Sequence, residues 1–211
     1  MPSAAPAPLR LQPNVPPKAR LVLLHGWGAD ADDLLMLGEA LAKQTHLPLE
    51  LVALPAPEPH PQGVGRQWYG LFPADWDAVP AAETALRNRL MDLAEDGLPL
   101  NRTVVLGFSQ GAAMALSTGC ALPLAGLIAC SGYPHPHWSA PAERPPVLLI
   151  HGRQDEVVPC TAVEEIRQRL ANGSADVNLS MFEGGHTIPE SLFATISKAL
   201  NTWLDRAGRE G

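Results

Sequence analysis

The sequence predicts an α/β fold, with a mostly parallel central sheet of about six or seven strands and helices on both faces. Three observations carry this prediction. Short apolar runs alternate with helical patterns along most of the chain. The runs are almost continuously hydrophobic, as parallel strands covered on both faces require. Between Thr103 and Ala142 there is no Asp, Glu, Lys or Arg. Gln110, Pro123 and the glycines at 107, 111, 119 and 126 interrupt that stretch, so a buried sheet core explains it better than a membrane span.

In chain order, LRLQP (9–13) is a candidate edge strand, followed by RLVLLHG (20–26) and LELVALP (49–55). TVVLGF (103–108), LAGLIACSG (124–132), PPVLLIHG (145–152) and DVNLSMFEG (176–184) complete the set of strands. Residues 80 to 96 read as a helix with Leu86, Leu90 and Leu93 on one stripe, Pro80 at its start and Gly97 at its stop. The last helix carries Leu192, Phe193, Ile196, Leu200 and Trp203 at helical spacing. Thr161-x-x-Glu164 and Thr187-x-x-Glu190 have the form of capping boxes and predict two helix starts. The longest irregular segments, 55 to 79 and 131 to 145, are too short for a separate cap domain. The expected organisation is a proline-rich segment over 1–19, one catalytic domain over 20–206 and a flexible tail over 207–211.

Composition narrows the function. Of 211 residues, 46% are hydrophobic and 18% charged, the balance of a globular chain. A formal charge of −7 argues against nucleic acid as a partner and against an anionic membrane surface. No basic segment followed by an apolar run opens the chain, so no signal peptide is expected. Cys120, Cys130 and Cys160 lack CxxC spacing and read as free thiols of a reducing, cytoplasmic compartment. No metal-ligating constellation and no cofactor site is apparent; His135-Pro-His137 lacks a third ligand. The oligomeric state stays open, a weak homodimer included.

The chemistry centres on LGFSQGAAMAL (106–116), where a strand gives way to a helix at Ser109. Gly-x-Ser-x-Gly at such a corner keeps side chains away from a tight turn and lifts the hydroxyl above the sheet. A serine needs a base, and the base needs an acid to orient it. Asp155 follows the strand VLLIHG at its carboxyl end, whereas Asp176 opens a strand. His186 follows the last strand, and it alone of the seven histidines comes after Asp155. Carboxyl-end loops thus deliver Ser109, Asp155 and His186 to one edge of the sheet. Glu183, three residues before His186, is the competing acid. The backbone N–H groups of Trp27, in LLHGWGAD (23–30), and of Gln110 are the candidate oxyanion donors. His25 suits a structural hydrogen bond. Trp68, Tyr69, Phe72 and Trp76 either wall an acyl site or pack the 55–79 loop down. Trp68 and Tyr69, with Ile188, are the candidate substrate contacts.

LHGWGADADDL, RQWYGL, GFSQGAAMAL, GRQDEVVP and GGHTIP occur in the order found in the phospholipase/carboxylesterase family of α/β-hydrolases, and residues 20 to 204 resemble it. The resemblance implies an α/β-hydrolase fold and metal-independent hydrolysis of ester or thioester acyl groups. It implies Ser109, Asp155 and His186 as triad, with Trp27 and Gln110 as oxyanion donors. Two departures stand out. Ala112 replaces the second glycine usual after the elbow. Trp27 stands where thioesterases of the family more often resemble one another in leucine, and an indole there shortens the acyl pocket. The expected function is a serine carboxylesterase acting on a small ester, or a thioester, with a short to medium acyl chain. An acyl-protein thioesterase or lysophospholipase is the nearest alternative, and a non-catalytic hydrophobic-ligand receptor the second.

Overall fold

The computed structural model describes residues 6–173 and 176–209. Nine strands appear in chain order: β1 (Leu9–Leu11), β2 (Ala19–Leu24), β3 (Leu49–Leu54), β4 (Glu58–Pro59), β5 (Arg66–Gln67), β6 (Thr103–Phe108), β7 (Gly126–Cys130), β8 (Val147–Gly152) and β9 (Val177–Phe182). Seven form one sheet in the order β1-β3-β2-β6-β7-β8-β9. All its neighbours are parallel except β1, which runs antiparallel to β3 at the edge. This is an α/β-hydrolase fold without a cap domain. Strands β4 and β5 form a small antiparallel ribbon inside the 55–79 segment, where the sequence suggests only irregular chain.

Five helices cover the sheet: α1 (Leu35–Ala42), α2 (Val79–Ala94), α3 (Gln110–Gly119), α4 (Cys160–Arg169) and α5 (Phe193–Ala207). On one face, Leu86 and Leu90 of α2, Met114 of α3 and Ile166 of α4 pack with Val22, Val105 and Leu149. On the other, Leu41 of α1 and Ile196, Leu200 and Trp203 of α5 pack with Leu21, Leu106 and Ile150. The alternating faces of the inner strands β2, β3, β6, β7 and β8 therefore feed two cores, which is why those sequences are apolar at nearly every position. The uncharged stretch contains β6, α3 and β7, which are buried except for the half-buried Phe108 and Ser117. No helix among the described residues is long and apolar enough to cross a membrane.

Neither expected capping box forms. Pro159 and Pro189 stand at the starts of α4 and of the short 3-10 turn Glu190–Leu192, and no side chain caps either start. Proline carries the entry φ near −60° on its own ring, so Thr161 falls inside α4 and Thr187 precedes the turn instead of capping it. Helix α5 extends to Ala207, and residues 1–5, 210 and 211 of the expected terminal segments lie outside the described residues.

One ion pair is sealed in this frame. Arg20 on β2 and Glu50 on β3 are almost fully buried and meet at 2.6 Å. Arg20 also donates to the carbonyls of Leu93 and Leu98, and Glu50 accepts from Arg10 and Gln12. Removing one partner would strand a buried charge. Glu50→Ala should lower the unfolding free energy by about 3–5 kcal/mol in urea titrations, and Arg20→Met added to a Glu50→Leu background should recover much of the loss.

Candidate active site

Ser109 sits between β6 and α3 with φ 54° and ψ −117°, a left-handed conformation that a β-carbon makes costly. Its side chain caps nothing, so it is not an ordinary helix-start serine. Crowding explains the turn. A Cβ on Gly107 would stand 2.2 Å from the Gly111 carbonyl oxygen, and one on Gly111 would stand 2.1 Å from that of Leu24. The Ser109 N–H donates to the Cys130 carbonyl at 2.9 Å, tying the corner to β7. Ala112 is accommodated because its methyl faces Gly132, where a Cβ would approach it to 2.8 Å.

His186 and Asp155 come from the loops after β9 and β8. Those loops are pressed together: Arg153 and Gln154 donate backbone hydrogen bonds to Phe182 and Gly184. A Cβ on Gly152 would stand 2.4 Å from the carbonyl oxygens of both Gly184 and Gly185. The result is a 2.8 Å hydrogen bond from His186 Nδ1 to Asp155 Oδ2. Asp155 Oδ1 accepts from the Val157 and Val158 N–H groups, and its side chain is 0% exposed. Burial alone would raise this carboxyl pKa, but the Val158 N–H and the His186 imidazole outweigh it and hold the pKa below its ordinary value. Glu183 lies elsewhere. It is 73% exposed and bound to Arg153 and Gln154.

Ser109 and His186 line one cleft of about 400 Å³ together with Trp27, Phe72, Trp76 and Tyr133. Trp27 packs edge-on against His60 and Phe72, and its indole donates to Gln67. The N–H groups of Gly28 and Ala29, which follow it, donate to the carbonyls of Arg66 and Gly26, whereas the Trp27 N–H makes no backbone hydrogen bond among the described residues. The Gln110 N–H opens α3 and has no acceptor within the helix. Of the aromatic residues in the 55–79 segment, Phe72 and Trp76 wall the cleft. Trp68 and Tyr69 do not: both are buried in the core behind it, a correction to their expected role as substrate contacts. Ile188 lies beside an adjoining cavity on the far side of His186.

Apart from His25, whose structural hydrogen bonds the sequence suggests, several supporting residues escape sequence reading. The buried Gln110 side chain accepts from the Trp68 N–H at 3.0 Å and donates to the Tyr69 carbonyl at 2.8 Å, clamping that loop to the nucleophile corner. His25 accepts the Ala56 N–H and hydrogen-bonds the Gly26 carbonyl; burial lowers its pKa and keeps it neutral. His151 donates to the Val158 carbonyl at 2.8 Å, bracing the turn that carries Asp155. Behind the cleft, Glu83, His135, Tyr69 and Tyr133 form a chain of hydrogen bonds of 3.1, 2.9 and 2.7 Å. His135 is therefore engaged in a polar chain, and no group of three or more metal-ligating side chains occurs among the described residues. Only a glutamine after the serine was visible in sequence as a signal, and its side-chain role needs the fold.

The corner geometry sets a stability test. Gly111→Ala should cost about 3 kcal/mol or more by thermal or urea unfolding, because the backbone of β2 must move. Gly70→Ala, whose Cβ would meet its nearest atom at an ordinary 3.6 Å, should cost under about 1 kcal/mol.

Comparison with known proteins agrees with this fold. The phospholipase/carboxylesterase family signature matches residues 11–204. The crystal structure of esterase PE8 superposes with a TM-score of 0.81 at 34% identity, covering 95% of this chain and 99% of that one. Acyl-protein thioesterase 1 of Eremothecium gossypii is 25% identical, over 90% of each chain. Esterase YpfH of Escherichia coli K12 is 27% identical, over 83% of this chain and 79% of its own. The chain belongs to the phospholipase/carboxylesterase family, and it is a serine hydrolase of ester or thioester bonds.

Proposed function

We propose that the protein is a cytoplasmic serine carboxylesterase for short to medium acyl chains, with Ser109 as nucleophile and residues 20–206 as its catalytic unit. The observation that carries the reading is the 2.8 Å bond from Asp155 to His186 Nδ1, made in the same cleft that Ser109 lines. With Nδ1 engaged, Nε2 is the nitrogen left for proton transfer. Ser109 attacks the acyl carbon as His186 Nε2 takes its proton, and Asp155 stabilises the imidazolium. The N–H groups of Trp27 and Gln110 receive the developing oxyanion. The leaving group departs with the proton held by His186. Water then repeats the sequence on the acyl-enzyme, and no metal or cofactor enters any step.

The acyl length follows from the wall of the cleft. Trp27, Phe72 and Trp76 occupy space that a long chain would need, and no cap domain extends the cleft. A thioester remains within the chemistry, since the relatives in Eremothecium gossypii and Yarrowia lipolytica carry the name acyl-protein thioesterase 1. The thiols of Cys120, Cys130 and Cys160 are free, which supports a reducing compartment.

Two measurements test the assignment. Asp155→Asn should lower kcat by about 10⁴-fold with the fold intact by circular dichroism. Glu183→Gln should cost about tenfold or less; the reverse ranking would transfer the orienting role to Glu183. Trp27→Leu keeps the backbone N–H and removes bulk, so the kcat/KM profile over p-nitrophenyl esters should shift toward longer chains. A wild type that already prefers palmitoyl esters would refute the short-chain reading.

A further inference from the structure

Beyond the cleft that holds Ser109 lies a second cavity of about 420 Å³, lined by Leu34, Met36, Leu37, Ala40, Ile188 and Phe193 among others. The two cavities share three residues: Asp33, Phe108 and His186. The rings of Phe108 and His186 stand 4.7 Å apart, centroid to centroid, and form the partition between them. Ser109 lines the first cavity and not the second.

That division has a chemical meaning. When the tetrahedral intermediate collapses, the bond from the acyl carbon to the leaving oxygen or sulfur breaks and its electron pair goes to that atom. The proton on His186 Nε2 moves to the same atom, which departs as a neutral alcohol or thiol, and His186 returns to its neutral form. The acyl group stays bonded to Ser109 Oγ. The part of the substrate that remains therefore occupies the cavity with Ser109, and the part that leaves lies on the side fronted by His186 alone.

Charge completes the argument. Among the described residues neither cavity is lined by lysine or arginine, and Asp33 is the one carboxylate that both contain. Asp33 is exposed and begins from the same short turn as Asp32, directly before α1. An apolar wall beside an unopposed carboxylate favours uncharged groups and repels anions.

We propose that the second cavity is the leaving-group subsite, and that it selects apolar alcohols or thiols without negative charge over phosphate-bearing ones. The proposal rests on the serine esterase reading and adds to it a substrate class: esters of hydrophobic, non-anionic alcohols, not lysophospholipids.

The test holds the acyl group constant. kcat/KM is measured for methyl, benzyl and glycerol 3-phosphate esters of butyric acid. Benzyl butyrate should exceed the phosphate-bearing ester by at least about tenfold, the discrimination a shaped apolar pocket provides. Ala40→Phe fills the second cavity and should lower the benzyl-to-methyl ratio about tenfold, while acyl-length preference among methyl esters holds. Asp33→Lys, at an exposed position, should narrow the gap between the benzyl and phosphate esters about tenfold at low salt, and less at high salt. Equal turnover of benzyl and phosphate esters by the wild type would overturn the proposal. So would a change in acyl-length preference, in place of the benzyl-to-methyl ratio, in Ala40→Phe. Failure of the wild type to hydrolyse even p-nitrophenyl butyrate would instead overturn the esterase reading beneath it.

Discussion

The carbonyl oxygen of Leu24 lies so near Gly111 that a β-carbon there would stand 2.1 Å away, and the rest of the site depends on that approach. It brings the end of β2 against the first turn of α3. The loop after β2 carries Trp27 and the first turn of α3 carries Gln110, so one backbone contact holds these two segments together. At the start of that helix Ser109 takes a left-handed conformation, with φ 54°. The local strain is offset by the largely buried packing of β6 and α3 on either side.

A second contact of the same kind works at the other end of the site. Gly152 lets the loops after β8 and β9 touch through their backbones, and Asp155 and His186 meet as a consequence. Asp155 is buried, yet the Val158 N–H and the His186 imidazole keep its pKa below the ordinary value, so it remains an anion beside His186. Linkage then has a definite sign. A carboxyl whose folded pKa is depressed contributes stability above its ordinary titration range and loses it as pH falls through the folded value. The carboxylate that orients the base thus also ties the two loops together at neutral pH, and function and local stability share one interaction.

Much of this was legible in the residues. Parallel strands buried on both faces announce themselves by unbroken apolar runs, and the corner glycines by their spacing around Ser109. Asp155 was separable from Asp176 because one follows a strand and the other precedes one. What was hidden depends on contacts distant in sequence or on which way a loop residue faces. Trp68, Tyr69, Phe72 and Trp76 have similar chemistry, and only the fold sends two inward and leaves two on the cleft. The Gln110 side-chain clamp and the chain from Glu83 to Tyr133 join residues some forty or more positions apart in sequence, so no local pattern encodes them. Thr161 and Thr187 misled because a local capping pattern was overridden by Pro159 and Pro189, which set the helix entries themselves.

If an acyl group passes through Ser109, the intermediate itself is the direct witness. The protein mixed with a slowly deacylating ester, quenched in acid within the first turnover and measured by intact-mass spectrometry should gain the mass of one acyl group. Peptide mapping should place that group on the peptide containing Ser109, and Ser109→Ala should gain none. An acyl group on another residue, or full turnover by Ser109→Ala, would contradict the account.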